Sequence, residues 1–297
     1  MSDIPQVSIV IPNLHSPLIG EVLAALRRQI HSPAEAEIIV VGMDRYGLIQ
    51  TDALVQFIRT PNPVCAAAAR NLGISQARGD IVAFLDADCI AAPDWLAQLL
   101  ACYADPEVAC VIGGVDFPAD SYWTLADNVS TFYSYHATAE PGLREYAPTL
   151  NFSARRAIFA DVGLFDESFP GAAGEDIDLT LRMRFAGYSL HFVPCVTISH
   201  QPIRNSLRKL VTRSFIFGRN MIKVFWRYRE QRPLAFLHRH PLLLLLGAPL
   251  LGAGITVKIF LTNPHLLRYA HTFPAIYAAK VAWRLGGAYQ IWKTGRL

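Results

Sequence analysis

The chain has 297 residues, enough for one large α/β domain or two smaller ones, and 52% of them are hydrophobic, high for a freely soluble protein. Its five cysteines, Cys65, Cys89, Cys102, Cys110 and Cys195, show no CxxC spacing, which excludes a disulfide or zinc-finger framework and suits buried thiols in a reducing compartment. The net charge of +3 conceals a split: residues 1–203 carry 11 Lys+Arg against 23 Asp+Glu, whereas residues 204–297 carry 16 against the single acid Glu230.

Residues 1–6 are polar and residues 7–11 are too short for a signal core, so the acidic part is expected to fold in the cytoplasm. Val7-Ser8-Ile9-Val10-Ile11 is a β-branched run of the buried-strand type, stopped by Pro12-Asn13. Ser16-Pro17 reads as an N-cap and first helical position ahead of Leu18, Val22, Leu26 and Ile30 at helical spacing. Strands are predicted at 38–41 and 55–58, a small-residue helix at 66–77, and a further buried strand at 81–85. This alternation predicts an α/β fold, a mostly parallel, Rossmann-like sheet flanked by helices that binds ligands beyond the carboxyl ends of its strands. Asp86 begins at that edge. A helix at 93–103 and a strand at 108–115 follow, then an aromatic, loop-like stretch at 119–150. A helix starting near Glu175 is closed by Gly187, and 190–193 forms a strand.

From Arg204 the character changes. Leu207, Leu210, Val211, Phe215, Met221, Ile222 and Phe225 mix with six Lys or Arg residues in a pattern suited to a membrane interface. Residues 242–257 then carry no charge; at ~1.5 Å per residue they reach ~24 Å, short of a ~30 Å hydrocarbon core. A second apolar stretch at 269–279 is shorter, so a spanning helix, a re-entrant hairpin and an interfacial pair all fit. The expected division is a catalytic domain at 1–203, basic interfacial helices at 204–240 and apolar membrane helices at 241–297. The tail's partner is expected to be membrane lipid and not nucleic acid, because the basic stretch runs into leucines.

The chemistry centres on Phe84-Leu85-Asp86-Ala87-Asp88. Two carboxylates just past a buried strand can converge on one hard cation, Mn2+ or Mg2+, which shares its sphere between carboxylates and substrate phosphates. Further segments follow in order: Ala69-Arg70-Asn71-x-Gly73, Gly79-Asp80, Asn151-x-Ser153-x-Arg155-Arg156, Gly163-x-Phe165-Asp166-Glu167 and Gly174-Glu175-Asp176-x-Asp178-Leu179. With residues 7–12, this ordered set resembles a family 2 glycosyltransferase of the GT-A fold, over residues 7–200.

The resemblance implies an inverting transfer from a nucleotide-sugar donor; the lack of the processive members' Gln/Arg-x-x-Arg-Trp segment after residue 200 points to a single sugar, and the basic, apolar tail to a glycan or lipid-linked acceptor at the inner or plasma membrane. The resemblance implies Asp176 as the base that deprotonates the acceptor hydroxyl. Asp176 lies near a helix N-terminus, which favours the anion, while Glu175 and Asp178 crowd it. It also implies Pro12, Arg70, Asp86 and Asp88 at the donor, with the metal on Asp86 and Asp88. His200 is similar to a histidine that joins the metal or diphosphate in some members. Arg155 and Arg156 lie near the acceptor or a lipid phosphate in this reading, or are simply solvated. One departure stands out: where the family's second strand ends in acids that read the nucleotide base, this chain has Gly42-Met43-Asp44, with Asp44 a displaced equivalent. A sugar-phosphate nucleotidyltransferase is the second reading, but Pro12-Asn13-Leu14-His15 lacks a Gly-rich phosphate grip. A non-catalytic membrane scaffold with a relic transferase domain is the third. Intact Asp86, Asp88 and Asp176 count against it and Gly42-Met43 for it.

Overall fold

The computed structural model describes residues 4–169, 173–231 and 241–294. The end of the expected interfacial segment, residues 232–240, lies outside the described residues. The chain divides into two compact units, Met1–Asp116 with Ala137–Gln201, and Phe117–His136 with Pro202–Leu297.

The first unit is a nine-stranded sheet of β1 (Val7–Leu14), β2 (Ala36–Met43), β3 (Val55–Arg59), β4 (Ile81–Leu85), β5 (Cys89–Ala91), β6 (Cys110–Asp116), β7 (Gly142–Leu143), β8 (Asn151–Arg155) and β9 (Leu190–His200). Its order is β3-β2-β1-β4-β8-β6-β9-β5, with β7 on β9. Helices α1 (Ile19–Arg27), α2 (Ala66–Gln76), α3 (Trp95–Cys102), α5 (Ile158–Val162) and α6 (Glu175–Phe185) flank it, while α4 (Tyr122–Phe132) belongs to the second unit. β1 to β4 form the parallel half expected from the β-branched runs. Beyond β4 the sheet is mixed: β8 runs antiparallel to β4 and β6, and β6 runs parallel to β9. β5, at three residues, is too short, and β8 too polar and too poor in β-branched residues, to announce themselves by pattern.

Close packing explains the small residues of α2. A Cβ at Gly73 would lie 2.3 Å from Val10 Cγ1, so α2 sits directly on β1. Phe84 of β4 anchors the core against Phe152, Phe159 and Phe165, at ring distances of 6.4, 6.1 and 5.4 Å. A register shift at Gly113 and Gly114 interrupts the β6–β9 ladder. Buried Asn151 satisfies it, donating to the carbonyls of Gly114 and Val196 while accepting from Trp95 Nε1 at 2.9 Å.

The second unit packs α4, α7 (Leu207–Arg227), α8 (Pro241–Thr262) and α9 (Phe273–Thr294), with a 3-10 stretch at Pro264–Thr272. The 119–150 stretch, loop-like in sequence, holds α4, whose Ser121 hydroxyl accepts from Thr124 N. Asp127 of α4 is buried and pairs with Arg213 at 3.0 Å and Arg204 at 3.4 Å, which ties this segment to the C-terminal helices. The α7 and α9 backbones touch, since a Cβ at Gly218 would lie 1.9 Å from the Trp283 carbonyl oxygen and one at Gly286 2.0 Å from that of Phe215. α8 continues for 22 residues through Pro249, ~33 Å at ~1.5 Å per residue, longer than its charge-free run. By length and composition it is the one helix among the described residues able to cross a membrane.

Candidate active site

The carboxyl ends of the parallel strands open into a cleft of about 350 Å³ lined by Pro12, Gly42, Thr60, Arg70, Asp86 and Asp88, among others. The acid turn between β4 and β5 is held from several sides. Cys89 N donates to the Asp86 carbonyl at 3.0 Å, and Gln201 N to that of Asp88 at 2.8 Å. Ser16 Oγ donates to the carbonyl of Ala87, between the two acids, at 2.6 Å. Ser16 therefore does not cap α1, which begins at Ile19; its hydroxyl is directed across the cleft edge to the acid turn. Asn13 fixes the same edge by donating to the Met43 carbonyl at 2.8 Å and accepting from Ser16 N at 3.2 Å.

Arg70, only 3% exposed, joins the two acidic segments. It donates to Asp86 Oδ1 at 2.8 Å and to Glu175 Oε1 at 3.0 Å, on the first residue of α6. Its Nε is buried without a hydrogen-bond partner among the described residues, as is Thr60 Oγ1. Burial works against the charge on Arg70, but the carboxylates of Asp86, Glu175 and Asp176 outweigh it and raise its pKa. Burial and the Asp176 carboxylate push the Glu175 carboxyl up to about 7, against the pull of Arg70. Burial also raises Asp176, opposed by Arg70 and by the N–H groups of Ile177 and Gly174, both of which donate to its Oδ1. Opposed influences of this kind are how a carboxylate is tuned toward general-base work. Asp178 is fully buried and pairs with Arg182 at 3.1 Å.

His200, at the end of β9, is 5% exposed with Nε2 3.8 Å from Asp88 Oδ1. Asp86 and Asp88, each about one-third exposed, offer hard oxygen donors of the kind Mn2+ or Mg2+ takes, but among the described residues only Asp88 stands with His200 in a cluster of donor atoms within 4.8 Å, while Asp86 Oδ1 is engaged by Arg70.

A model of glycosyl transferase family 2 matches residues 8–163, more than half of the chain. The chain belongs to that family. A pre-mycofactocin glycosyltransferase of Mycobacterium tuberculosis is 29% identical over 211 residues, 66% of this chain and 43% of that protein. Glycosyltransferase AglE of Haloferax volcanii is 34% identical over 158 residues, 53% of this chain and 51% of that protein. The chain thus spans about half the length of these relatives. Among solved structures, the mannosyltransferase PcManGT of Pyrobaculum calidifontis with GDP-Man and Mn2+ is similar at a TM-score of 0.64 and 20% identity, covering 97% of this chain and 87% of that one. GalNAc-T7 with UDP, GalNAc and Mn2+ is similar at a TM-score of 0.55 and 18% identity, covering 73% and 48%. The shared architecture is the GT-A fold.

Within this family 2 chain, Pro12, Arg70, Asp86 and Asp88 meet at one cleft, and His200 stands beside Asp88. Asp176 is not among the cleft-lining residues; it connects through Arg70, which pairs with its neighbour Glu175. Asp44 is outside the lining too, its carboxylate accepting the N–H groups of Tyr46, Gly47 and Ile49 in its own loop. No side chain fits two residues back, since Gly42 has φ +131° and a Cβ there would lie 2.1 Å from the Asn13 carbonyl oxygen. Arg155 and Arg156 are not simply solvated: Arg155 donates to the carbonyls of Val108, Tyr103 and Asp105, and Arg156 to that of Gly79. Asn71 also has a structural task, exchanging bonds of 3.0 Å with the backbone of Phe165 and donating to Glu167. Glu175 as the partner of Arg70 was the residue hardest to foresee, because 105 positions separate them.

Proposed function

We propose that this chain is an inverting, metal-dependent glycosyltransferase that moves a single hexosyl unit from a nucleotide-sugar to an acceptor at the membrane. The observation that carries this is Arg70, which pairs with Asp86 at the cleft and with Glu175 at the start of the helix that bears Asp176. Asp86, Asp88 and His200 would hold Mn2+ or Mg2+. When bound, the metal supplies positive charge against the departing nucleoside diphosphate. Arg70 adds a fixed guanidinium beside that charge. Asp176, its basicity raised by burial, accepts the proton of the acceptor hydroxyl as that oxygen attacks the anomeric carbon. The GDP-Man bound in PcManGT, and the UDP and GalNAc bound in GalNAc-T7, support a nucleotide-sugar here. Pro12 lies at the donor, and Asp44 reads the base only if its loop rearranges.

The second unit supports the membrane half of the reading. α8 leaves Leu242, Leu246 and Leu250 at least 68% exposed, which suits lipid contact and an acceptor that is lipid-linked or part of a cell-envelope glycan. On this reading, residues 1–203, apart from Phe117–His136 which packs with the C-terminal helices, supply catalysis from the cytoplasmic face of the inner or plasma membrane, 204–240 the interface and 241–297 the anchor.

The test is a thermal-shift and turnover screen of UDP-, GDP- and dTDP-sugars with Mn2+. Asp176→Asn is expected to keep donor binding and lower turnover by roughly 10²–10⁴-fold. Asp88→Ala is expected to lose metal-dependent donor binding. If no nucleotide-sugar binds the unmodified chain, the proposal fails.

A further inference from the structure

We infer that Asp88, Cys89 and His200 form a site for a thiophilic transition metal of the Zn2+ class at the edge of the donor cleft. β5 and β9 run antiparallel with Cys89 directly opposite His200. Residues so paired share a face of the sheet with Cβ atoms ~4.5–5.5 Å apart. Asp88 immediately precedes Cys89 and adds a carboxylate. Its Oδ1 lies 3.8 Å from His200 Nε2 and 3.9 Å from Cys89 Sγ, and all three donor atoms lie within 4.8 Å of one another. Metal–ligand bonds of ~2.0–2.3 Å in a tetrahedron place ligand atoms ~3.3–3.8 Å apart, so side-chain adjustments of tenths of an ångström to about 1 Å close the site.

The donor types decide the metal. Carboxylate oxygens alone favour Mg2+ or Mn2+, but one sulfur and one imidazole nitrogen shift the preference toward Zn2+, which also binds mixed N/O/S sites more tightly than Mn2+. Cys89 and His200 are buried while Asp88 is about one-third exposed, which gives three protein ligands and an open side for a fourth. Binding replaces the thiol proton by the metal: the S–H bond breaks, an S–Zn bond forms, and the proton leaves to solvent. Asp88 cannot serve two metals fully, so Zn2+ is expected to compete with the Mn2+ or Mg2+ of donor binding; that consequence alone rests on the function proposed above.

The experiment is a Co2+ and Zn2+ titration of the full chain without donor, with zinc affinity read against a chromophoric chelator. The unmodified chain is expected to show a thiolate-to-cobalt charge-transfer band. Cys89→Ser is expected to lose that band and to bind Zn2+ roughly tenfold or more weakly. X-ray absorption at the zinc edge is expected to show a sulfur neighbour at ~2.3 Å in the unmodified chain, which guards against a variant that fails to fold. A spectrum with only nitrogen and oxygen neighbours, a band that persists in folded Cys89→Ser, or an unchanged Zn2+ affinity in that variant would each overturn the inference. Because these readouts need no donor, failure of every nucleotide-sugar to bind would sink the proposed function and leave this site standing. Intact Mn2+-dependent donor binding with no sulfur ligation would do the reverse.

Discussion

Arg70 and Glu175 are each almost wholly buried, so their pairing is sensitive to loss of either partner. Arg70→Met leaves Glu175 and Asp86 without their cation and is expected to cost about 3–5 kcal/mol in urea unfolding. Adding Glu175→Leu to that variant is expected to recover part of the loss, because replacing both members of a buried pair is nearly neutral. A double variant no more stable than the single one would show that the pair is not the unit of stability. The raised carboxyls give a pH dependence of definite sign. Glu175 titrates near the ordinary ~4.3 when unfolded and at about 7 when folded, so across that window the folded chain binds more protons. Stability therefore falls as pH rises from ~4 to ~7, and Asp176, also raised, acts in the same direction. Glu175→Gln is expected to flatten this slope in unfolding measured at several pH values; a slope unchanged by the substitution would assign it to other groups.

At the scale of elements, α7 and α9 approach through glycines that admit no side chain. Gly218→Val and Gly286→Val are each expected to cost about 1–3 kcal/mol or more, seen as a lower thermal midpoint in detergent. Gly254 of α8 offers the contrast, with nothing within 4 Å of an added Cβ. Gly254→Ala is expected to raise stability by roughly 0.5–1 kcal/mol through helix propensity. Equal effects at the three positions would mean that the close approach does not set the packing. α4 teaches a related lesson. Its Tyr, Trp, Thr and Asn residues are weak helix formers, and tertiary contacts such as the Asp127 pairs with Arg204 and Arg213 decide its state.

For the molecule as a whole, the membrane reading is best tested on exposed α8 leucines. Leu246 and Leu250 are 76% and 80% exposed, so Leu246→Glu with Leu250→Glu is expected to leave the fold intact. In a bilayer each charge costs about 2.5–3.5 kcal/mol near a helix centre, enough to release the chain from anionic vesicles in a flotation assay. Unchanged flotation would remove α8 as the anchor. A truncation after residue 203 is the poorer test, because it strips Asp127 of Arg204 and Arg213 and so perturbs Phe117–His136 as well.

The sequence by itself determined the parallel half of the sheet, because β-branched runs punctuated by Pro12-Asn13 and Gly79-Asp80 leave few alternatives. It also determined the family, and through the ordered motifs it picked out the cleft residues Pro12, Arg70, Asp86 and Asp88. Only the tertiary structure decided what those residues touch. Arg70 finds Glu175 across 105 positions, and Cys89 meets His200 through the register of a three-residue strand. The same holds for Asp44, which sequence alone offers to the donor but which the fold turns into its own loop through three backbone N–H groups. Periodicity reports which face of an element is buried; contacts between distant segments depend on strand order and register, and short elements leave too little pattern to show either.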